Sequence, residues 1–84
     1  MRERLIGERT IQGTLFTYAL LAEELTSDEE RYGVRISGAD GETAVFQDVT
    51  VSRPGMQSLM GKLVEGLVTP VTLRDILEDW LGEL

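Results

Sequence analysis

Eighty-four residues suffice for one small domain, and 42% hydrophobic against 27% charged residues make it a folded chain with a thin core. Neither Cys nor His occurs, which excludes a disulfide framework, thiolate chemistry and the usual general base of nucleophilic catalysis. A net charge of −7 disfavours nucleic acid and anionic membrane as partners, and no apolar run approaches the roughly 20 residues that span a bilayer.

The opening MRERLIGERTIQG returns to charge before any apolar stretch develops. No signal peptide is expected, and the setting expected is cytoplasmic. Leu5, Ile6 and Ile11, with charges between them, read as a first strand over 4–11. Gly13 marks a turn. The next stretch, TLFTYALLAEEL, is ambiguous. Its first half is aromatic and β-branched, as strands are, whereas ALLAEEL has high helix propensity, and Leu15, Tyr18, Ala19 and Ala22 make a helical stripe. A strand over 14–24 is favoured because Gly13 offers a hairpin turn; a helix over 14–25 is the alternative.

TSDEER is a polar connection whose acidic residues, Asp28, Glu29 and Glu30, read as solubilising. YGVRIS alternates cleanly, with Tyr32, Val34 and Ile36 on one side, and predicts a half-buried strand over 32–37. Asp40-Gly41 ends a hairpin turn. TAVFQDVTV predicts a fourth strand over 43–51, and its alternation slips at Gln47-Asp48, the mark of a bulge.

Two helices follow. Met56, Leu59, Met60, Leu63, Val64 and Leu67 share one stripe of a helix over 53–65. Ser52 is placed to cap it, Pro54 lies in the first turn, and Gly66 is expected to end it in the left-handed conformation. Leu73, Ile76, Leu77, Trp80, Leu81 and Leu84 repeat the spacing in a helix over 73–82. Thr72 is expected as its N-cap, with Asp75 completing a loose capping box and Val71–Ile76 a hydrophobic staple. Pro70 keeps the two helices apart. The order is β-β-β-β-α-α: an α+β domain over residues 1–84, a four-stranded antiparallel meander followed by two short amphipathic helices packed on one sheet face.

Dimensions then bear on partners. Four strands make a sheet about 20 Å wide, which two helices about 8–10 Å apart cover on one face only. The second strand is apolar on both sides. Phe16, Tyr18, Leu20 and Ala22 are expected to form the uncovered row, and a homodimer or a protein partner is expected to cover them.

YGVRI, the QDVTVS entry to the first helix and VTPVTLRDILEDWL resemble a family of small bacterial proteins of unknown function. The resemblance covers roughly residues 14 to 82, and the TP-x-x-L-x-D-x-x-E-D segment is its most specific part. It implies a bacterial, non-secreted protein and brings with it no activity, substrate or catalytic residue. The family pattern often has His where this chain has Thr72, so no role that rests on an imidazole carries over.

No catalytic residue, cofactor or metal site is expected. Asp75 and Asp79, with Glu78 beside them, share one face of the second helix. Such a set can hold a hard cation or split its pKa values, but on an amphipathic helix it is ordinarily the solvated side. The functional reading is a small protein-interaction or regulatory module, working through Phe16, Tyr18, Leu20 and Ala22 or through Asp75, Glu78 and Asp79. The alternative is an obligate homodimeric structural subunit, and a carboxylate-based enzyme ranks last.

Overall fold

The computed structural model describes residues 2–82. Its elements are β1 (Arg2–Ile11), β2 (Thr14–Glu24), β3 (Glu30–Gly38), β4 (Thr43–Thr50), α1 (Arg53–Glu65) and α2 (Pro70–Gly82). The strands form one open antiparallel sheet in the order β1-β2-β3-β4. The α+β meander with two following helices is therefore the fold, and residues 14–24 are strand rather than helix.

Local chemistry explains the hairpins. Gln12 and Gly13 both have positive φ, 51° and 83°, the pattern of a two-residue type I′ turn, whose twist matches that of the strands it joins. The slip at Gln47-Asp48 is a bulge: Val34 pairs with Phe46 but Tyr32 pairs with Thr50, so Gln47 to Val49 face Gly33 alone. Asp48 takes up the extra length at φ 59°. A second bulge, at Ile6, was not signalled by the sequence; Leu5 pairs with Ala19 and Gly7 with Tyr18. It reverses the side-chain parity of β1, so Arg2 and Arg4 share a face with Gly7, Arg9 and Ile11.

Both helices lie on one face. The core joins Phe16, Tyr18, Tyr32, Val34 and Ile36 of the sheet to Met56, Leu59, Met60, Leu63 and Val64 of α1 and to Leu73, Leu77 and Trp80 of α2. α1 packs across all four strands, α2 against β3 and β4. The row expected to be uncovered is thus the covered one: Phe16 and Tyr18 are buried, and Leu20 and Ala22 pack against the core. Both rows of β2 are apolar, and the larger, aromatic one faces the helices because it fills the space between sheet and helix.

On the opposite face Leu15 is 41% exposed, whereas the other two apolar residues of β2 are buried. Ala19 lies between Leu5 and Arg35 in the register, Leu21 between Glu3 and Gly33, yet each is only 6% exposed. Arg35 pairs with Glu3 across β2. Arg31 pairs with Glu23 at 2.9 Å and with Asp48 at 2.6 Å. Both arginines stand on the same side of the sheet as Ala19 and Leu21, their side chains 35% (Arg31) and 40% (Arg35) exposed, and long arginine stems are able to cover neighbouring apolar surface.

Ser52 caps α1 as its sequence position predicts, its Oγ accepting from the Gly55 N–H at 3.1 Å. The other end differs from expectation. Gly66 has φ −80°, and Leu67 adopts the left-handed conformation at φ 54°. The Val68 N–H donates to the Leu63 carbonyl and the Leu67 N–H to that of Val64. This is a Schellman motif with Leu67 at C′ and Val68 packed with Leu63. A left-handed L-residue costs about 1–2 kcal/mol, whereas the added freedom of an unfolded glycine costs about 0.5–1 kcal/mol. Leu67 is 47% exposed, so Leu67→Gly is expected to raise stability by about 0.5–1 kcal/mol, read as a higher urea midpoint; a lower midpoint would place the value of Leu67 in its side chain.

α2 starts three residues earlier than expected. Thr69 stands at the N-cap position, Pro70 at N1, and the Thr72 hydroxyl accepts from the Thr69 N–H at 3.2 Å. Thr72 is therefore the N3 side of the box and not the cap. The staple shifts with it. Val71 is 73% exposed, while Val68 and Leu73, at N′ and N4, are both buried. Leu73, Leu77 and Trp80 are the buried part of the predicted stripe; Ile76 and Leu81 flank it, exposed. Leu84, at the end of that stripe, lies outside the described residues.

Tyr18 locks this elbow to the sheet. It is fully buried, and its hydroxyl donates to the Val68 carbonyl at 2.6 Å. Burial raises its pKa above the usual 10.0, and Arg9 partly offsets that. A raised phenol pKa adds stability that is complete below pH 10 and is lost as pH climbs from there through the folded-state value. Tyr18→Phe is expected to cost about 1–2 kcal/mol at neutral pH, because it leaves the Val68 carbonyl unpaired, and to reduce the decline in stability above about pH 10. Urea titrations at pH 7 and in the alkaline range check both; an unchanged alkaline profile would assign that decline to another group.

Candidate functional site

The two acidic and apolar groups singled out from sequence do not form one site. Asp75, Glu78 and Asp79 are exposed on the outer face of α2, with Glu78 4.0 Å from Arg74. Among the described residues no group of three or more carboxylates is arranged to hold a metal ion. Phe16 and Tyr18 are interior. Leu20 and Ala22 reach further, into a recess beside the start of β1.

That recess follows from the path of α1. Tyr32 stands in the end row of the sheet, where Arg2 pairs with Ala22, Ala22 with Tyr32 and Tyr32 with Thr50. α1 leaves β4 at this end and runs diagonally, bringing Val64 against Gly7 in the middle of β1; a methyl group on Gly7 would stand 3.3 Å from Val64 Cγ1. The corner above the start of β1 and the end of β2 is left uncovered.

It holds a volume of about 400 Å³. Leu20, Ala22, Tyr32 and Met56 give it an apolar floor, and Arg2, Arg4 and Arg53 line its rim. Glu30 stands among them with its side chain 19% exposed; it pairs with Arg2 and lies 3.7 Å from Arg53. Glu30 is thus not merely part of a solvated acidic turn, as its neighbours Asp28 and Glu29 are. Arg4 has no carboxylate within ion-pair distance among the described residues.

The charge balance is local and opposite to that of the chain. Three of the eight basic residues gather here in a protein of net charge −7. Glu3 also borders the recess, but its carboxylate is held by Arg35 on the other side of the sheet. Against the Glu30 carboxylate, the three guanidiniums leave an excess of two positive charges. Guanidinium forks bind oxyanions in two-point fashion, and an apolar floor beneath them suits a ligand with a non-polar body.

The sequence held part of this signal. Arg2 and Arg4 stand two apart, hence on one side of a strand, and Arg53 opens the first helix. Their meeting with Met56 and Tyr32 is a product of the diagonal packing of α1, which no local pattern records.

No described helix is long and apolar enough to cross a membrane. Comparison with curated proteins and with solved structures returns no match. The family of unknown function DUF6514 matches residues 3–83, nearly the whole chain, and the protein belongs to that family.

Proposed function

We propose that the protein is a small cytoplasmic interaction or regulatory module that acts by binding rather than by catalysis, and that its binding seat is the arginine-rimmed recess at the start of β1. The observation that carries this reading is the reversal of charge: a net-acidic chain collects Arg2, Arg4 and Arg53 around an apolar floor. Among the described residues Arg4 has no carboxylate partner, and clustered donors over an apolar base are a property of ligand sites. The acidic face of α2 lacks such a floor, and the row of Phe16 and Tyr18 is inside the core.

An extract of the native host, split by ultrafiltration into small-molecule and macromolecular fractions, tests this. Each fraction is titrated into the isotopically labelled protein while backbone amide shifts are followed. Movement of the amides of Arg4, Leu20, Ala22 and Met56 with either fraction is the expected result. Shifts confined to α2, or none, would overturn the assignment of the recess.

A further inference from the structure

We infer that the occupant of the recess is a small amphipathic organic anion, an oxyanion head on an aliphatic or aromatic body. This inference rests on the recess being the binding seat. The argument is one of size, polarity and charge taken together. A volume of about 400 Å³ falls at the small-molecule end of the usual ligand-site range, roughly 300–1,000 Å³. It is of a size to admit a compact ligand.

The floor sets the body. Leu20 and Ala22 come from β2, Tyr32 from β3 and Met56 from the first turns of α1, so three elements present apolar groups to one space. A thioether among them adapts to ligand shape. The rim sets the head. Glu30 forms an ion pair with Arg2 and stands 3.7 Å from Arg53, so those two guanidiniums already face a carboxylate at the edge. Arg4, on the same side of β1 as Arg2 and opposite Leu20 in the register, has no such partner among the described residues. Its forked donors are available to a carboxylate or phosphate whose body lies on Leu20 and Ala22. A neutral ligand would leave the excess of positive charge uncompensated. A bare anion would leave the floor wet. Only a molecule that carries both parts satisfies the recess.

The outward charge of the protein does not prevent this. Screening limits repulsion by the distant carboxylates to about 8–10 Å at physiological salt, whereas the arginines meet the head directly.

Octanoate and octyl phosphate serve as probes that carry both parts, 1-octanol as the body alone, and acetate and inorganic phosphate as the heads alone. Calorimetry and amide shifts are measured for the wild-type chain, for Arg4→Gln on β1 and for Arg53→Gln on α1. At least one of the two amphipathic anions is expected to bind saturably, move the amides of Leu20, Ala22 and Met56, and bind at least about tenfold more tightly than 1-octanol or either bare anion. Whether octanoate or octyl phosphate binds more tightly identifies the head as carboxylate or phosphate. Arg4→Gln is expected to weaken binding at least about tenfold without moving the melting temperature, since Arg4 is exposed on an edge strand. Should Arg4→Gln disturb the fold, Arg53→Gln carries the same test from a different element. Equal affinity for 1-octanol, or affinity unaffected in both arginine variants, would overturn the inference. Recess amides that respond to the macromolecular fraction of an extract but to neither octanoate nor octyl phosphate would overturn the ligand class and leave the binding seat standing.

Discussion

Gly33→Ala is expected to destabilise the protein by about 3 kcal/mol or more, beyond the usual cost of an added core methyl. Gly33 is buried at the point where β4 bulges over β3. A methyl group there would stand 2.9 Å from the Cα of Gln47 and collide with the Phe46 carbonyl oxygen. Both obstacles are backbone, so no side chain can swing away to relieve them. Relief requires β4 to lift, and with it the Val34–Phe46 pairing and the seat of α2 on β3 and β4. A domain of this size has a stability near the low end of about 5–15 kcal/mol, so the loss consumes a large share of it. Gly61 is the internal control. It lies in α1 with open space around it, and Gly61→Ala is expected to add up to about 1 kcal/mol by helix propensity alone. Urea denaturation followed by circular dichroism measures both variants. Equal midpoints for Gly33→Ala and wild type would mean that β4 does not lie over Gly33 as described.

Gly33 also illustrates what the sequence could and could not express. The bulge was legible, because the alternation of β4 fails at Gln47-Asp48. That a glycine in β3 must stand opposite it was not, because the alternation of β3 runs on undisturbed from Tyr32 to Ile36. Element order was legible for the same reason as the bulge: hairpin turns at Gly13 and Asp40-Gly41 separate segments of clear period. The facing of β2 was not. Leu15, Ala19 and Leu21 on one side and Phe16, Tyr18, Leu20 and Ala22 on the other are both apolar, so period alone cannot choose between them. Side-chain volume chooses, since the helix layer takes the two aromatic rings, while the far side keeps the smaller row and leaves Leu15 41% exposed.

Helix ends show a different kind of ambiguity. Thr69 and Thr72 are both competent caps, and Pro70 reads equally as a breaker of one helix and as the first residue of the next. Burial of Val68 and Leu73 decides for Thr69, and that is tertiary information. At Gly66-Leu67 the prior for glycine in the left-handed position pointed to the wrong residue of the pair, because Val68 must reach Leu63 and the motif is set by that contact. The recess was least legible of all. Its residues come from β1, β2, β3 and α1, and its existence depends on a diagonal crossing that leaves one corner of the sheet bare.

The sequence did identify the residue that ties the end of the chain back to the start of its helical layer. Trp80→Ala is expected to cost about 3–5 kcal/mol, as truncations of large buried aromatics do. Trp80 is 9% exposed and belongs to the core. Its ring edge lies close to Gly55, where an added methyl group would stand 3.6 Å from Cζ2, so the last turns of α2 are clamped against the first turn of α1. Removing the indole opens a cavity at that junction and frees both helix ends together. Because α1 begins beside the arginine-rimmed recess, the same variant is expected to disturb the recess although Trp80 does not line it. Ile76→Ala provides the contrast: Ile76 flanks the buried stripe at 37% exposure and is expected to lose less than about 1 kcal/mol. Trp80 is the only tryptophan, so its own fluorescence cannot report on the variant, and unfolding is followed by far-ultraviolet circular dichroism. A Trp80→Ala midpoint no lower than that of Ile76→Ala would show that α2 is held by Leu73 and Leu77 alone.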